Sequence, residues 1–157
     1  MRYPVLKWII LTGLFIIASC DPQMVYDQYR HVEGESWTWD DQKTFTVQVE
    51  DTVSLHNIYL QLRHTVEYPL SNLYLFVHLE GPAGKQMTDT VEMILAKPGG
   101  EWIGSGTGHL RQLSLLYRKQ TRFSKPGPYR FILEQGMRNP ELPVTDLGIR
   151  IEKIKPE

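Results

Sequence analysis

Cysteine occurs once in this chain, at position 20, directly after Ile17-Ala18-Ser19. A thioether to diacylglycerol needs a thiol, and the peptidase that cuts in front of it needs small neighbouring side chains. Ala18 and Ser19 supply those, with a branched apolar residue three positions before the cysteine. Upstream, Arg2 and Lys7 make a positive start, and Trp8 to Ile17 is an apolar run of signal-peptide length. That run is about half of the ~20 residues a membrane-spanning helix requires. The pattern is that of a bacterial lipoprotein signal, with Cys20 as the acylated residue. A lone cysteine has no internal disulfide partner, so the usual extracellular use of the residue does not apply. Two or three acyl chains give stable anchoring where one does not.

Other chemistry is hard to find. The histidines (His31, His56, His64, His78 and His109) are scattered, and none stands in a zinc-ligand spacing. No metal and no cofactor is expected. Gly104-Ser105-Gly106-Thr107-Gly108 has the look of a phosphate cradle but lacks the Lys-Ser/Thr ending of a P-loop. Alternating glycines more often mark bulges, or a strand lying beneath a large neighbour such as Trp102. No serine sits in a G-x-S-x-G elbow. Carboxylates could in principle form a hydrolase pair, but Asp51-Thr52 and Asp89-Thr90 are explained as Asx-turns at strand starts or turns. Trp37 and Trp39 flank Thr38, and period two would put both rings on one face, as in sugar-binding platforms. Half-buried aromatics at a sandwich edge are the commoner outcome. No enzymatic activity is expected.

The elements that would position these residues are strands. Phe45, Val47 and Val49 alternate with Thr44, Thr46 and Gln48, and Ile58, Leu60 and Leu62 alternate with Tyr59, Gln61 and Arg63. Leu73, Leu75, Val77 and Leu79 make a third strand whose other face is also largely nonpolar, as in a central strand. Further runs carry Val91, Met93 and Leu95, then Tyr129, Phe131 and Leu133, then Leu147, Ile149 and Ile151. Leu110 to Tyr117 fits a strand or a helical face, and its context favours a strand. Turns such as Gly81-Pro82-Ala83-Gly84-Lys85, Pro98-Gly99-Gly100 and Pro126-Gly127-Pro128 separate the runs. About eight short strands without a helical segment predict an all-β fold, an antiparallel β-sandwich. Jelly-roll and immunoglobulin-like topologies both fit. The expected organisation is a signal peptide over 1–19, a lipidated tether over 20–35 and a sandwich domain over 36–157. The tether would let the domain stand off the bilayer, with Val25, Tyr26 and Tyr29 docking on the domain edge. A formal net charge of −1, without a long basic patch, argues against nucleic acid as a partner.

The order of these features resembles the gliding-motility lipoprotein GldH family of the Bacteroidetes. The resemblance rests on Cys20 followed by Val25-Tyr26-Asp27-Gln28-Tyr29, then Trp39, Arg63, Tyr68-Pro69 and Ser71-Asn72-Leu73. It continues through Pro82, Gly84, Asp89-Thr90, Leu95, Gly100, Trp102-Ile103-Gly104, Gly106, Gly108 and Phe123. Gly127-Pro128-Tyr129, residues 134–138 (EQGMR) and 146–152 (DLGIRIE) complete it. The resemblance implies a non-enzymatic envelope lipoprotein required for gliding, scaffolding a machinery linked to type IX secretion. It implies a membrane partner through the N-terminal lipid and other envelope proteins as partners, with no small-molecule substrate. A periplasm-facing position is expected, on the outer rather than the inner membrane. Arg63, Tyr68, Asn72 and Trp102 are polar or amphipathic residues suited to a partner-facing patch, with the alternatives that Asn72 caps a turn and Arg63 pairs with Asp89. A glycan- or ligand-binding lipoprotein using the Trp37/Trp39 edge is the competing reading.

Overall fold

A computed structural model describes residues 22–154. Cys20, the signal segment and the last three residues lie outside the described residues. Ten strands follow one another: β1 (Met24–His31), β2 (Trp37–Thr38), β3 (Lys43–Val49), β4 (His56–Thr65), β5 (Asn72–Glu80), β6 (Gln86–Ile94), β7 (Leu110–Thr121), β8 (Gly127–Gln135), β9 (Glu141–Leu142) and β10 (Val144–Lys153). A single 3-10 turn at Glu33–Glu35 joins β1 to β2. The strands form two four-stranded sheets, in the orders β1-β10-β4-β7 and β3-β8-β5-β6, and a small β2-β9 pair. All pairings are antiparallel.

The strand order decides between the two topologies that the sequence left open. Setting aside the two-residue strands, the eight long ones fall as first-eighth-third-sixth in one sheet and second-seventh-fourth-fifth in the other. That interleaving of two Greek keys is the jelly roll. It makes the first and last strands neighbours, and their register runs from Met24 opposite Glu152 to His31 opposite Asp146. Residues 24–31, inside the segment expected to be a tether, are therefore an edge strand of the sandwich. Their short alternation is weak because an edge strand buries one face only in part. Leu110 to Tyr117 is strand, as its context suggested.

The period-two residues do what their spacing requires. Ile58, Leu60 and Leu62 of β4 and Leu147, Ile149 and Ile151 of β10 project into the space between the sheets. Phe45, Val47, Leu73, Leu75, Val77, Phe131 and Leu133 meet them from the other sheet. Each such side chain contributes about 1.5–3 kcal/mol when taken from water. Trp37 closes one end of this core, its indole nitrogen donating to the Asp41 carbonyl at 2.7 Å. The open edges are tied across the sandwich. Asp89 on β6 receives hydrogen bonds from Tyr117 and Arg118 on β7. Asp89 is thus no turn residue, contrary to expectation, because it lies within a strand whose edge needs closing. Asp51 does hold a turn, accepting from the backbone of Val53 and Ser54 at 2.9 Å each.

Candidate partner surface

The four residues expected to share a patch are divided by the pleat of β4. Arg63 points away from the core, onto the outer face of the β1-β10-β4-β7 sheet. There its guanidinium lies 4.0 Å from the Tyr29 ring centroid and donates to Gln112 Oε1 at 3.0 Å. The alternative pairing with Asp89 does not form, since Asp89 is engaged with Arg118 at 2.5 Å.

Tyr68, Asn72 and Trp102 gather instead at the end of the sandwich, on the core side of β4. His64, the residue after Arg63, is fully buried and touches two of them. Its ring lies 4.8 Å from Trp102 and 5.4 Å from Tyr68, centroid to centroid. Nδ1 of His64 donates to the Thr65 carbonyl at 2.9 Å, which leaves Nε2 as an unprotonated acceptor without a partner among the described residues. Burial holds the imidazole below its ordinary pKa. Tyr68 is only 3% exposed, and its hydroxyl donates to the Asn72 carbonyl at 3.0 Å. The same burial pushes its phenol pKa up. Tyr68 is therefore packed into the core at the edge of this end: its aromatic ring lies in the sandwich interior, and its hydroxyl has a backbone acceptor. Asn72 opens β5 and reaches across to Glu92 at 2.6 Å, so it joins two strands and does not cap a turn.

What remains accessible is a shallow groove of about 460 Å³ between residues 68–71 and residues 94–102. Trp102 forms one wall, half-buried, with Ile94 opposite at 48% exposure. Trp102 owes its place to the glycines that follow it. A Cβ on Gly104 would lie 2.7 Å from the Gln112 carbonyl oxygen, and one on Gly106 would lie 2.3 Å from that of Leu110. The glycines permit the loop to fold onto β7, where Ser105 and Gln112 exchange backbone hydrogen bonds at 3.0 and 2.7 Å. The glycine run is a loop in close approach to the β7 backbone, not the strand beneath Trp102 that the sequence suggested.

The aromatic platform is not built. Trp37 is in the core, whereas Trp39 lies beyond the end of β2, 48% exposed, with its indole nitrogen donating to the Met137 carbonyl at 2.9 Å. Period two fails here because β2 stops at Thr38. Among the described residues, no group of three or more His, Cys, Asp or Glu side chains could hold a metal ion. No described helix is long and apolar enough to cross a membrane.

The outer face of the β1-β10-β4-β7 sheet was missed as a unit. Tyr29 lies over Gly148, where a Cβ would come 3.0 Å from Tyr29 Cδ1 and 2.8 Å from Gln61 Oε1. Arg150 binds Asp27 at 2.9 Å and Glu152 at 2.5 Å, and His31 meets Asp146 at 3.3 Å. Asp27, Tyr29, Arg63, Asp146, Gly148, Arg150 and Glu152 are far apart in sequence, yet they lie side by side on three adjacent strands. The signal was available in the period-two pattern of residues 146–152, whose apolar set faces in and whose charged set must face out.

The GldH lipoprotein family profile matches residues 24–151. The chain belongs to the GldH lipoprotein family. It is 32% identical over 161 residues to a Christiangramia forsetii protein called a gliding motility lipoprotein GldH homolog, covering 98% of both chains. It is 33% identical over 153 residues to the gliding motility lipoprotein GldH of Flavobacterium johnsoniae, covering 92% of this chain and 94% of that one. Both are proteins of the Bacteroidetes. Among solved structures, the VP2 subviral particle of infectious bursal disease virus aligns at 13% identity and a TM-score of 0.20, over 88% of this chain and 43% of that one. That likeness is too slight to bear on fold or function. Membership in the GldH lipoprotein family fits a membrane-anchored envelope protein without requiring a spanning helix.

Proposed function

We propose that this GldH-family protein is a non-enzymatic component of the cell envelope, acylated at Cys20, that scaffolds or stabilises the gliding and type IX secretion-associated machinery. The observation that carries the reading is the whole-length match to proteins named for gliding motility. It is supported by a body made of packed strands, whose accessible features include a groove beside Trp102 and a charged sheet face. The periplasmic side of the outer membrane is the proposed location. The groove beside Trp102 is the proposed contact for other envelope proteins, because a half-buried aromatic with an exposed aliphatic rim is the arrangement that anchors protein interfaces. The Arg63 face, where the guanidinium lies over Tyr29 among paired charges, is a second proposed contact of polar character.

Deletion of the gene tests the function directly. Loss of colony spreading and of secreted cargo is expected, and wild-type spreading with intact secretion would refute the role. Palmitate labelling of the mature protein should disappear in Cys20→Ser. For the groove, Ile94→Asp is a cleaner probe than Trp102→Ala, since Trp102 also packs on His64. Ile94→Asp should stay folded and lose envelope proteins that co-purify with the wild type. Arg63→Glu should weaken co-purification through the other face, and if neither variant changes the recovered proteins, both contacts are wrong.

A further inference from the structure

The end of the sandwich opposite the Trp102 groove is where the chain runs on toward Cys20, and it carries Val53, the most exposed large hydrophobic among the described residues. Met24 begins β1 and is four positions after Cys20, a separation of at most ~14 Å even when fully extended. At that end Val53 stands 78% exposed at the tip of the β3–β4 turn, with Met24 at 46% and Val25 at 37%. The Asp51-held turn needs only the amide of residue 53, not an apolar side chain there. Pro22, Val53, Leu55 and Ile154 line a shallow hollow of about 530 Å³. Backbone hydrogen bonds tie the hollow to the start of the described chain: Lys153 N donates to the Gln23 carbonyl at 2.8 Å, and Ile154 N to that of Leu55 at 2.9 Å.

Charge separates the two ends as well. The connectors at the Val53 end carry Lys85, Arg122 and Lys125 against Glu50 and Asp51, and Asp51 is already paired with Lys153 at 2.7 Å. Connectors and short strands at the groove end carry seven carboxylates (Glu33, Glu35, Asp40, Asp41, Glu67, Glu101 and Glu141) against Lys97 and Arg138, and with Asp41 paired to Lys43 and Glu101 to Lys97 the excess there remains negative. An anionic lipid surface attracts the first set and repels the second.

We propose that the Val53 end lies directly against the lipid surface that receives the acyl chains of Cys20, with Met24, Val25, Val53 and Leu55 at the headgroup boundary. The proposal rests on acylation of Cys20. It replaces a domain standing off on a tether with one seated end-on. A ten-residue strand spans ~33 Å, so the groove is held about that far from the bilayer, facing outward. Apolar contact and basic loops fix the orientation, and the acyl chains supply most of the attachment.

The test uses the mature acylated chain in vesicles of phosphatidylethanolamine and phosphatidylglycerol. Because Cys20 is acylated, an introduced cysteine is the only free thiol. Val53→Cys, Met24→Cys and Ile103→Cys are labelled with an environment-sensitive fluorophore and read with and without spin-labelled lipid. A blue shift and quenching at 53 and 24, with neither at 103, is expected. If palmitate enters at Cys20 but all three probes report water, or 103 alone is quenched, the end-on seating is overturned while the anchoring stands. If Cys20 takes no palmitate, both fall.

Discussion

His64 is held where an imidazolium is unwelcome, between Tyr68 and Trp102, and burial lowers its pKa. His56, buried against Phe123 at 5.2 Å, is shifted in the same direction by the same cause. The unfolded chain therefore takes up protons first as pH falls below ~6.5. Stability is fully present above that value and declines as pH drops toward the folded pKa values. Urea midpoints should fall between about pH 7 and about pH 5, and the slope should be shallower in His64→Phe, which keeps a ring in place but cannot titrate. Asp89 works the other way. The Tyr117 hydroxyl and the Arg118 guanidinium hold its carboxyl below the ordinary range, and Tyr117 is itself pushed up to about 12, chiefly by burial. The carboxylate's contribution is present above ~pH 4 and lost as pH falls through its lowered value. Asp89→Asn should thus be less stable than wild type at neutral pH, with the gap in unfolding midpoint closing in acid.

Among the elements, β1 depends on a single missing side chain. Gly148 on β10 leaves room for Tyr29 and for Gln61 Oε1, which is also close to that site. Any Cβ there pushes Tyr29 away and loosens the edge strand. Gly148→Ala is expected to cost about 1–3 kcal/mol, as over-packing does. Hydrogen exchange should locate the loss, with β1 amides exchanging faster while β4 amides change little. The edge strand also shows why its alternation was hard to read. Met24–His31 alternates only weakly because β1 covers half of one face, and its partner strand lies more than a hundred positions away in sequence.

At the scale of the molecule, two sheets bury one face each and leave the other to solvent. Which face is which can be measured. Leu60 and Leu116 both lie on strands of the β1-β10-β4-β7 sheet, yet Leu60 is fully buried and Leu116 is 41% exposed. Leu60→Ala should lower stability by about 2–5 kcal/mol, whereas Leu116→Ala should stay within ~0.5 kcal/mol of wild type. Denaturant unfolding of both variants checks the assignment. The jelly-roll order also pairs strands distant in sequence throughout, so refolding is expected in the millisecond-to-second range typical of all-β domains. Stopped-flow tryptophan fluorescence reads it.

The sequence by itself determined the strand class and the inward residues. Period two at Ile58-Leu60-Leu62 or Leu147-Ile149-Ile151 permits one pleated solution, and alternation is a local property of the chain. It also marked Cys20 as the proposed acylation site, because such a signal is read by residue type over a few positions. It carried the family resemblance as well, through residues whose shared location it did not reveal. Tertiary structure decided the jelly-roll order, the entry of residues 24–31 into the sandwich, and the division of the four patch residues between two surfaces. These depend on pairings such as Asp27 with Arg150, Asp89 with Arg118 and Arg63 with Tyr29. Nothing local encodes them. They exist only once two half-buried sheets have hidden their apolar faces on each other.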